Sequence, residues 1–135
     1  MADDNGQRVR TFMEAMARAD LQPFFDAMAD DVSWRWMGVR TWSKTFHGKQ
    51  SVVDDLFGGA GEALDDSFSV EVHQIIVDGD HVVVEHTGRN ATPDGRRYDN
   101  NYCWVLTFGG GLLREVREYM DTQLVTETFE GDAAG

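Results

Sequence analysis

YDNNYCWVLTFGGGLLREVREYMDTQLV, residues 98–125, is the stretch that decides the fold. Its first half alternates with the period of a β-strand, and one face carries Tyr102, Trp104, Leu106 and Phe108. Three glycines follow, a run that can supply the positive φ angles of a tight hairpin turn. The alternation then resumes and places Glu118 between Val116 and Met120 on the less polar face. A carboxylate in that position is either a rim residue that reaches water or a working group inside a pocket.

Length and composition narrow the class of protein. At 135 residues the chain predicts one domain over 1–135. A net charge of -12 would repel phosphate backbones and anionic lipid, so we expect neither nucleic acid nor membrane as a partner. The single cysteine, Cys103, cannot form a disulfide within the chain, and we find neither a secretory leader nor an apolar run of membrane-spanning length. These features favour a cytoplasmic protein.

Helical signals come first along the chain. Apolar residues at helical spacing predict a helix over residues 5–19, and Asp20 with Pro23 predicts a second, short helix that ends at 29–31. A strand over 32–37 points Trp34 and Trp36 inward, a loop covers 38–47, and a third helix begins at Gly48.

Strand signals dominate the second half. Turns at 78–80 and 90–96 separate strands that begin at Ser67 and at His81, and the hairpin of residues 98–119 completes the sheet. Residues from Thr122 onward are predicted to be a tail, disordered over about 128–135. The pattern is α+β: a strongly curved antiparallel or mixed sheet, closed by N-terminal helices, would form a cone around a pocket.

The segments ADDVSW (29–34), FHGK (46–49), VDGDHVVVE (77–85) and GRRYDNNYCWVLTF-GGG-LLREVREYMDT (95–122), in this order, resemble the SnoaL-like branch of the nuclear transport factor 2-like superfamily. Its relatives include ketosteroid isomerases, limonene epoxide hydrolases and polyketide cyclases. The resemblance implies a conical α+β fold with a deep pocket and a homodimer. The fold alone does not imply one activity.

The departures from those relatives restrict the chemistry. The resemblance assigns the isomerase base and its two oxyanion donors to Trp36, Phe12 and Trp104, so steroid isomerisation by that mechanism is not expected. The hydrolase and cyclase branches carry a carboxylate on the last strand, and Glu118 matches it. Tyr102 and Trp104 stand where the hydrolases have the rest of their acidic arrangement, so epoxide hydrolysis is not expected either.

The candidate catalytic residues are Glu118, Glu85, His86 and Tyr102. If the strand of His81 to Arg89 turns Glu85 inward, two carboxylates share a dry pocket, and one is then kept protonated. If the parity is the opposite, the pocket holds His86 instead. The alternative is that the acids face solvent or pair with arginine. Tyr102 would donate a hydrogen bond.

An apolar cavity is the other functional feature of the sequence. The predicted ligand-binding residues are Phe12, Trp34, Trp36, Phe46, Asn100, Trp104, Val116 and Met120. They predict a small hydrophobic or aromatic ligand, unless the same side chains simply fill a solid core. No spacing of His, Cys and acidic residues resembles a metal site, and we expect no metal and no cofactor.

Two functions follow as hypotheses. The first is a cofactor-free acid–base enzyme, namely an isomerase, cyclase, dehydratase or hydrolase that acts on a small hydrophobic substrate. The second is a non-catalytic module of the same fold that binds a small hydrophobic ligand or dimerises. The homodimer is predicted from the resemblance and from the strand face that carries Cys103, Val105, Thr107 and Tyr119.

Overall fold

The computed structural model describes residues 4–40, 42–58 and 68–129. In chain order the elements are α1 (Asp4–Ala17), α2 (Gln22–Ala27), β1 (Met28–Trp36), β2 (Thr45–His47), α3 (Lys49–Ser51) continuing as a π-helix over Val52–Phe57, β3 (Ser69–Asp78), β4 (His81–Arg89), β5 (Asn100–Gly109), β6 (Leu112–Met120) and α4 (Thr122–Phe129). The predicted strand start at Ser67 and the predicted disorder of 130–135 lie outside the described residues.

One curved, unclosed sheet of six strands, in the order β2-β1-β6-β5-β4-β3, forms the frame. Neighbouring strands are antiparallel except β1 and β6, which run parallel. The parallel pair sets the first long strand beside the last one. The mixed sheet and the N-terminal helices confirm the predicted α+β class.

The helices pack on the inward face of the sheet. Val9, Met13 and Met16 of α1 are buried at helical spacing, as the apolar pattern predicts. Phe24 of α2 stacks on Trp104 with ring centroids 5.5 Å apart. Phe12, predicted to bind ligand, instead packs within this core, 4.9 Å from the Phe24 ring, because it faces the interface between the two helices.

The orientation of β4 decides which of Glu85 and His86 faces the interior. Val84 and His86 point inward, whereas Glu85 is exposed on the outer face. The register explains this, because Val84 lies opposite Trp104 and His86 lies opposite Tyr102, and opposed residues share a face. Glu85 therefore does not share a pocket with Glu118. The inward position belongs to His86, the other parity that the sequence left open.

Two boundaries and one element differ from the sequence predictions. β1 begins at Met28 rather than Val32, since Met28 already pairs with Leu113 of β6. The predicted loop before Gly48 contains the short strand β2, which pairs with β1 through Phe46 and Trp34. Residues 122–129, predicted as a tail, form α4, whose Val125 is buried.

The end of α1 carries a strained residue. Ala19 has φ 64°, a left-handed conformation that favours glycine. The amides of Ala19 and Asp20 donate to the carbonyls of Met16 and Ala15, each at 2.9 Å, which is the hydrogen bonding of a glycine-type helix stop.

Ala19→Gly should raise the free energy of unfolding by about 0.5–1 kcal/mol, because removing Cβ relieves the left-handed strain. Ala17→Gly is the control. Ala17 is exposed and helical, so the same change there should destabilise the protein by about 0.5–1 kcal/mol. Urea unfolding measures both variants. Equal destabilisation by the two substitutions would contradict the strain at Ala19.

Candidate functional site

A cavity of about 560 Å³ lies between the inward face of the sheet and the helices. All four tryptophans of the chain line it: Trp34, Trp36, Trp42 and Trp104. Leu56 and Phe57 of the π-helix and Val125 and Phe129 of α4 complete much of the apolar wall. The aromatic residues therefore enclose a space as well as filling a core, and its volume suits a small organic ligand.

The register of three strands brings the polar group of the cavity into position. Glu118 of β6 lies opposite Trp104 of β5 and beside Trp36 of β1. Residues in register share a face, so the carboxylate is flanked by an indole on each side. Trp34 lies two residues before Trp36 on the same face of β1, and its indole also reaches the Glu118 carboxylate. The alternation read from the sequence thus places Glu118 and both β1 tryptophans correctly on the inward face.

Glu118 is only 6% exposed, and its hydrogen-bond donors are indoles. Trp104 Nε1 donates to Oε2 at 2.7 Å, and Trp34 Nε1 donates to Oε1 at 3.3 Å. Burial raises the pKa of the Glu118 carboxyl to about 7, while hydrogen bonding from Trp104, Trp34 and Trp36 opposes the rise. The group is therefore divided between acid and carboxylate near neutral pH, the condition that suits a general acid or base.

The indole donors around Glu118 stabilise only one of its two protonation states. An indole N–H can donate a hydrogen bond but cannot accept one. Trp34, Trp36 and Trp104 can therefore stabilise the ionised carboxylate, but none of them can receive the proton of the neutral acid. When Glu118 is protonated, its O–H has to find an acceptor elsewhere, and the cavity adjoins it.

His86 is the second ionisable group of the cavity wall. It is 2% exposed, and burial lowers the pKa of its imidazole to about 4, with the Val84 carbonyl acting in the opposite direction. The ring is therefore neutral at pH 7. It packs edge-on against Trp104, with centroids 4.2 Å apart. Its Nδ1 is buried and has no hydrogen-bond partner among the described residues.

Two tyrosines form a polar edge of the same cavity. Burial raises the pKa of both Tyr102 and Tyr98, so each hydroxyl keeps its proton at neutral pH. Asn100 Nδ2 donates to the Tyr98 hydroxyl at 3.2 Å, and Asn100 Oδ1 accepts from the Asp121 amide at 3.0 Å. Asn100 is fully buried and outside the cavity lining, so it positions Tyr98 rather than contacting a ligand.

The structure brings together most of the predicted site. Glu118, His86, Tyr102, Trp34, Trp36, Phe46, Trp104 and Met120 line the cavity. Val116 is buried in the core outside the lining, as Phe12 and Asn100 are. Sequence reasoning missed Trp42, Lys44 and Tyr98, and also Val125 and Phe129 of α4. The spacing of four between the last two was the available signal for a helix.

Other classes of site find no support within the described ranges. No group of three or more His, Cys, Asp or Glu side chains is placed there to hold a metal ion. No helix in these ranges is long and apolar enough to cross a membrane. The exposed outer strand face that carries Tyr119 is where we predict dimerisation, and the homodimer stays a prediction.

A curved six-stranded sheet with N-terminal helices packed on its inward face is the fold of nuclear transport factor 2-like proteins. The model of the SnoaL-like domain matches residues 9–116. The chain therefore belongs to the SnoaL-like domain family.

Similar proteins span nearly the whole chain. The uncharacterized protein Rv0034 of Mycobacterium tuberculosis (strain ATCC 25618 / H37Rv) is 26% identical over 90% of this chain and 92% of its own length. The structure of Bal32a from a soil-derived mobile gene cassette has a TM-score of 0.81 at 21% identity, covering 96% of this chain and 98% of that one. A proposed SnoaL-like polyketide cyclase from Jannaschia sp. CCS1 has a TM-score of 0.77 at 18% identity, covering 93% and 91%. At these identities the structures show the fold alone.

The raised pKa of Glu118 predicts how stability depends on pH. The folded state binds this proton more tightly than the unfolded state, so the stability it contributes is complete below the unfolded value of 4.5 and is lost as pH rises through about 7. The unfolding free energy of the wild type minus that of Glu118→Gln should fall by about 2–3 kcal/mol between pH 5 and about pH 8.

Urea unfolding of both proteins across this range is the measurement. His86 titrates in both proteins, so its contribution cancels in the difference. A difference that does not change with pH would contradict the raised pKa of Glu118.

Trp104→Phe should raise the pKa of Glu118 further, because it removes the shorter of the indole hydrogen bonds from Trp104 and Trp34 to the carboxylate. Carbon-detected NMR titration of the glutamate carboxyls measures the shift. Trp42→Phe is the matched control, since the Trp42 indole lines the cavity but donates to Thr126 Oγ1 at 3.2 Å. A Glu118 titration that moves equally in both variants would mean that the Trp104 bond has no particular role.

Proposed function

We propose that the protein is a cofactor-free acid–base enzyme acting on a small hydrophobic substrate, with Glu118 as the group that takes up and returns the proton. The observation that carries the proposal is a carboxyl of pKa about 7, buried in an apolar cavity and bonded by indole donors. A structural acid would be expected to pair with a cation or to reach water. Glu118 has hydrogen bonds that hold its position, and burial keeps its proton exchangeable near neutral pH.

The proposed step is proton abstraction from carbon next to a carbonyl. The Glu118 carboxylate removes the proton, the electron pair moves into the enol or enolate, and the resulting carboxylic acid returns the proton to another atom of the same substrate. No oxidant, reductant or second substrate is needed. This balance suits isomerisation or cyclisation, and the name of the Jannaschia cyclase, a similar structure, is consistent with it.

His86 and Tyr102 are proposed to orient the substrate. The imidazole is neutral and lines the cavity, so it offers a polar ring in a mostly apolar space. The Tyr102 hydroxyl retains its proton and shares a hydrogen bond with Tyr98, so one O–H of this pair stays available to donate to a carbonyl oxygen. Together with Glu118, these groups would fix the direction in which an apolar substrate lies.

A second candidate is a binding module without turnover. Both oxygens of Glu118 accept an indole hydrogen bond, an arrangement that can also hold a carboxylate purely as a structural group. In that case a ligand would bind against the tryptophans with no exchange of its protons. The two candidate functions therefore differ in whether protons of the bound ligand exchange with solvent.

Exchange of ligand protons with solvent distinguishes them. In deuterated buffer, we expect the wild type to exchange the protons next to the carbonyl in at least one member of a panel of small aromatic and alicyclic ketones, followed by proton NMR. Glu118→Gln should slow exchange by about 100-fold or more, because general base catalysis contributes that much. The wild-type rate should rise as pH passes through about 7, where Glu118 becomes the carboxylate.

Glu85→Gln is the control for removing a negative charge. Glu85 lies on the exposed face of the neighbouring strand, so exchange should be unchanged. Wild-type exchange in Glu118→Gln would overturn the enzyme proposal. If ketones of the panel bind but exchange no protons with solvent at any pH, the result would favour the binding module.

A further inference from the structure

Lys44 is a cation in the wall of a cavity that is otherwise mostly apolar. It directly precedes β2, and its backbone carbonyl accepts a hydrogen bond from the Trp36 amide at 2.9 Å. Its Nζ lies 4.6 Å from the centroid of the Phe46 ring, and Phe46 packs against Trp36 with centroids 4.8 Å apart. The ammonium group therefore rests on the aromatic wall of the cavity, held by a cation–π contact.

The charge balance makes this cation unusual. The chain has 24 acidic residues against 12 basic ones, and only two of the basic residues are lysines, Lys44 and Lys49. Among the residues that the structure describes, ion pairs with nearby acids are formed by Arg89, Arg96, Arg97, Arg114 and Arg117. Lys44 has no carboxylate partner within 4 Å in the part of the chain that the structure describes. Asp55, also in the cavity lining, instead accepts from Ser51 Oγ at 2.9 Å.

The strand order fixes how far Lys44 lies from Glu118. Lys44 bonds to Trp36 from the edge of the sheet, and Trp36 is in register with Glu118 on the next strand. Two inter-strand spacings separate the backbones of Lys44 and Glu118 by roughly 10 Å. An anionic group would be repelled by ionised Glu118 and attracted by Lys44, so an acid in this cavity has one favoured direction.

We propose that the ligand of this cavity is an amphipathic organic acid, whose apolar body packs against the tryptophans and whose carboxylate binds Lys44. This proposal rests on the proposed function, because it names the substrate class of the same cavity. It makes Lys44 a specificity-determining residue: the ammonium selects the charged end of the ligand. The reacting part of the ligand then lies toward Glu118.

A pair of compounds that differ only in charge tests the proposal. We would titrate the whole protein with 4-phenylbutanoate and with its uncharged amide, 4-phenylbutanamide, and follow tryptophan emission, which reports on the cavity because all four tryptophans line it. The wild type should bind the acid roughly fivefold or more tightly than the amide, as about 1 kcal/mol of ion pairing implies. Added sodium chloride should weaken binding of the acid but not of the amide.

Substitution of Lys44 tests whether this side chain causes the preference for the acid over the amide. Lys44→Met should remove the preference for the acid and leave the affinity for the amide within about twofold, because the side chain keeps its apolar stem. Lys44→Arg should restore the preference. Lys49→Met is the matched control, since it removes the other lysine at a position outside the cavity lining, and it should change neither affinity.

Equal affinity of the wild type for both compounds, binding of neither, or a preference that survives Lys44→Met would each overturn the proposal. Glu118→Gln separates this result from the proposed function. That variant should still prefer the acid, because the readout is binding and requires no proton transfer. The acid preference and the exchange activity can therefore fail independently.

Discussion

The candidate site depends on a single carboxylate being held in an apolar cavity by donors that cannot accept its proton. Burial alone would favour the neutral acid, and the indole bonds from Trp34 and Trp104 favour the ion. The opposition of these effects leaves Glu118 near the midpoint of its titration at neutral pH. A cation beside it would have made it a permanent anion, and a wholly apolar surrounding would have made it a permanent acid.

This balance is a property of the sheet as well as of the side chains. Trp36, Glu118 and Trp104 come from three strands and meet only because the first and last long strands run parallel, with the antiparallel hairpin partner on the other side. The resemblance to ketosteroid isomerases assigns catalytic acids to the positions of Trp36 and Trp104. Here these positions hold tryptophans whose indoles donate hydrogen bonds to Glu118 of β6.

The sequence predicts the parts of the site in which apolar and polar residues alternate. The alternation around Trp104 and Glu118 gives their orientation directly, because a strand has a period of two. In β4 three consecutive valines follow His81 and have no such period, so the choice between Glu85 and His86 depended on pairing with β5. The burial of Phe12 depended in the same way on where α2 packs, and the indole bonds to Glu118 required the register of β1, which involves partners distant in sequence.

Burial acts in opposite directions on Glu118 and His86, two of the ionisable groups that line the cavity. It raises the pKa of Glu118 and lowers that of His86, since in both cases the charged form is disfavoured. Trp104 contacts both groups, because β5 lies between β6 and β4 in the sheet. At neutral pH the histidine carries no charge and the glutamic acid carries one only part of the time. The indoles that donate to Glu118 cannot accept the proton of its neutral acid, so they would not compete with a ligand for that proton.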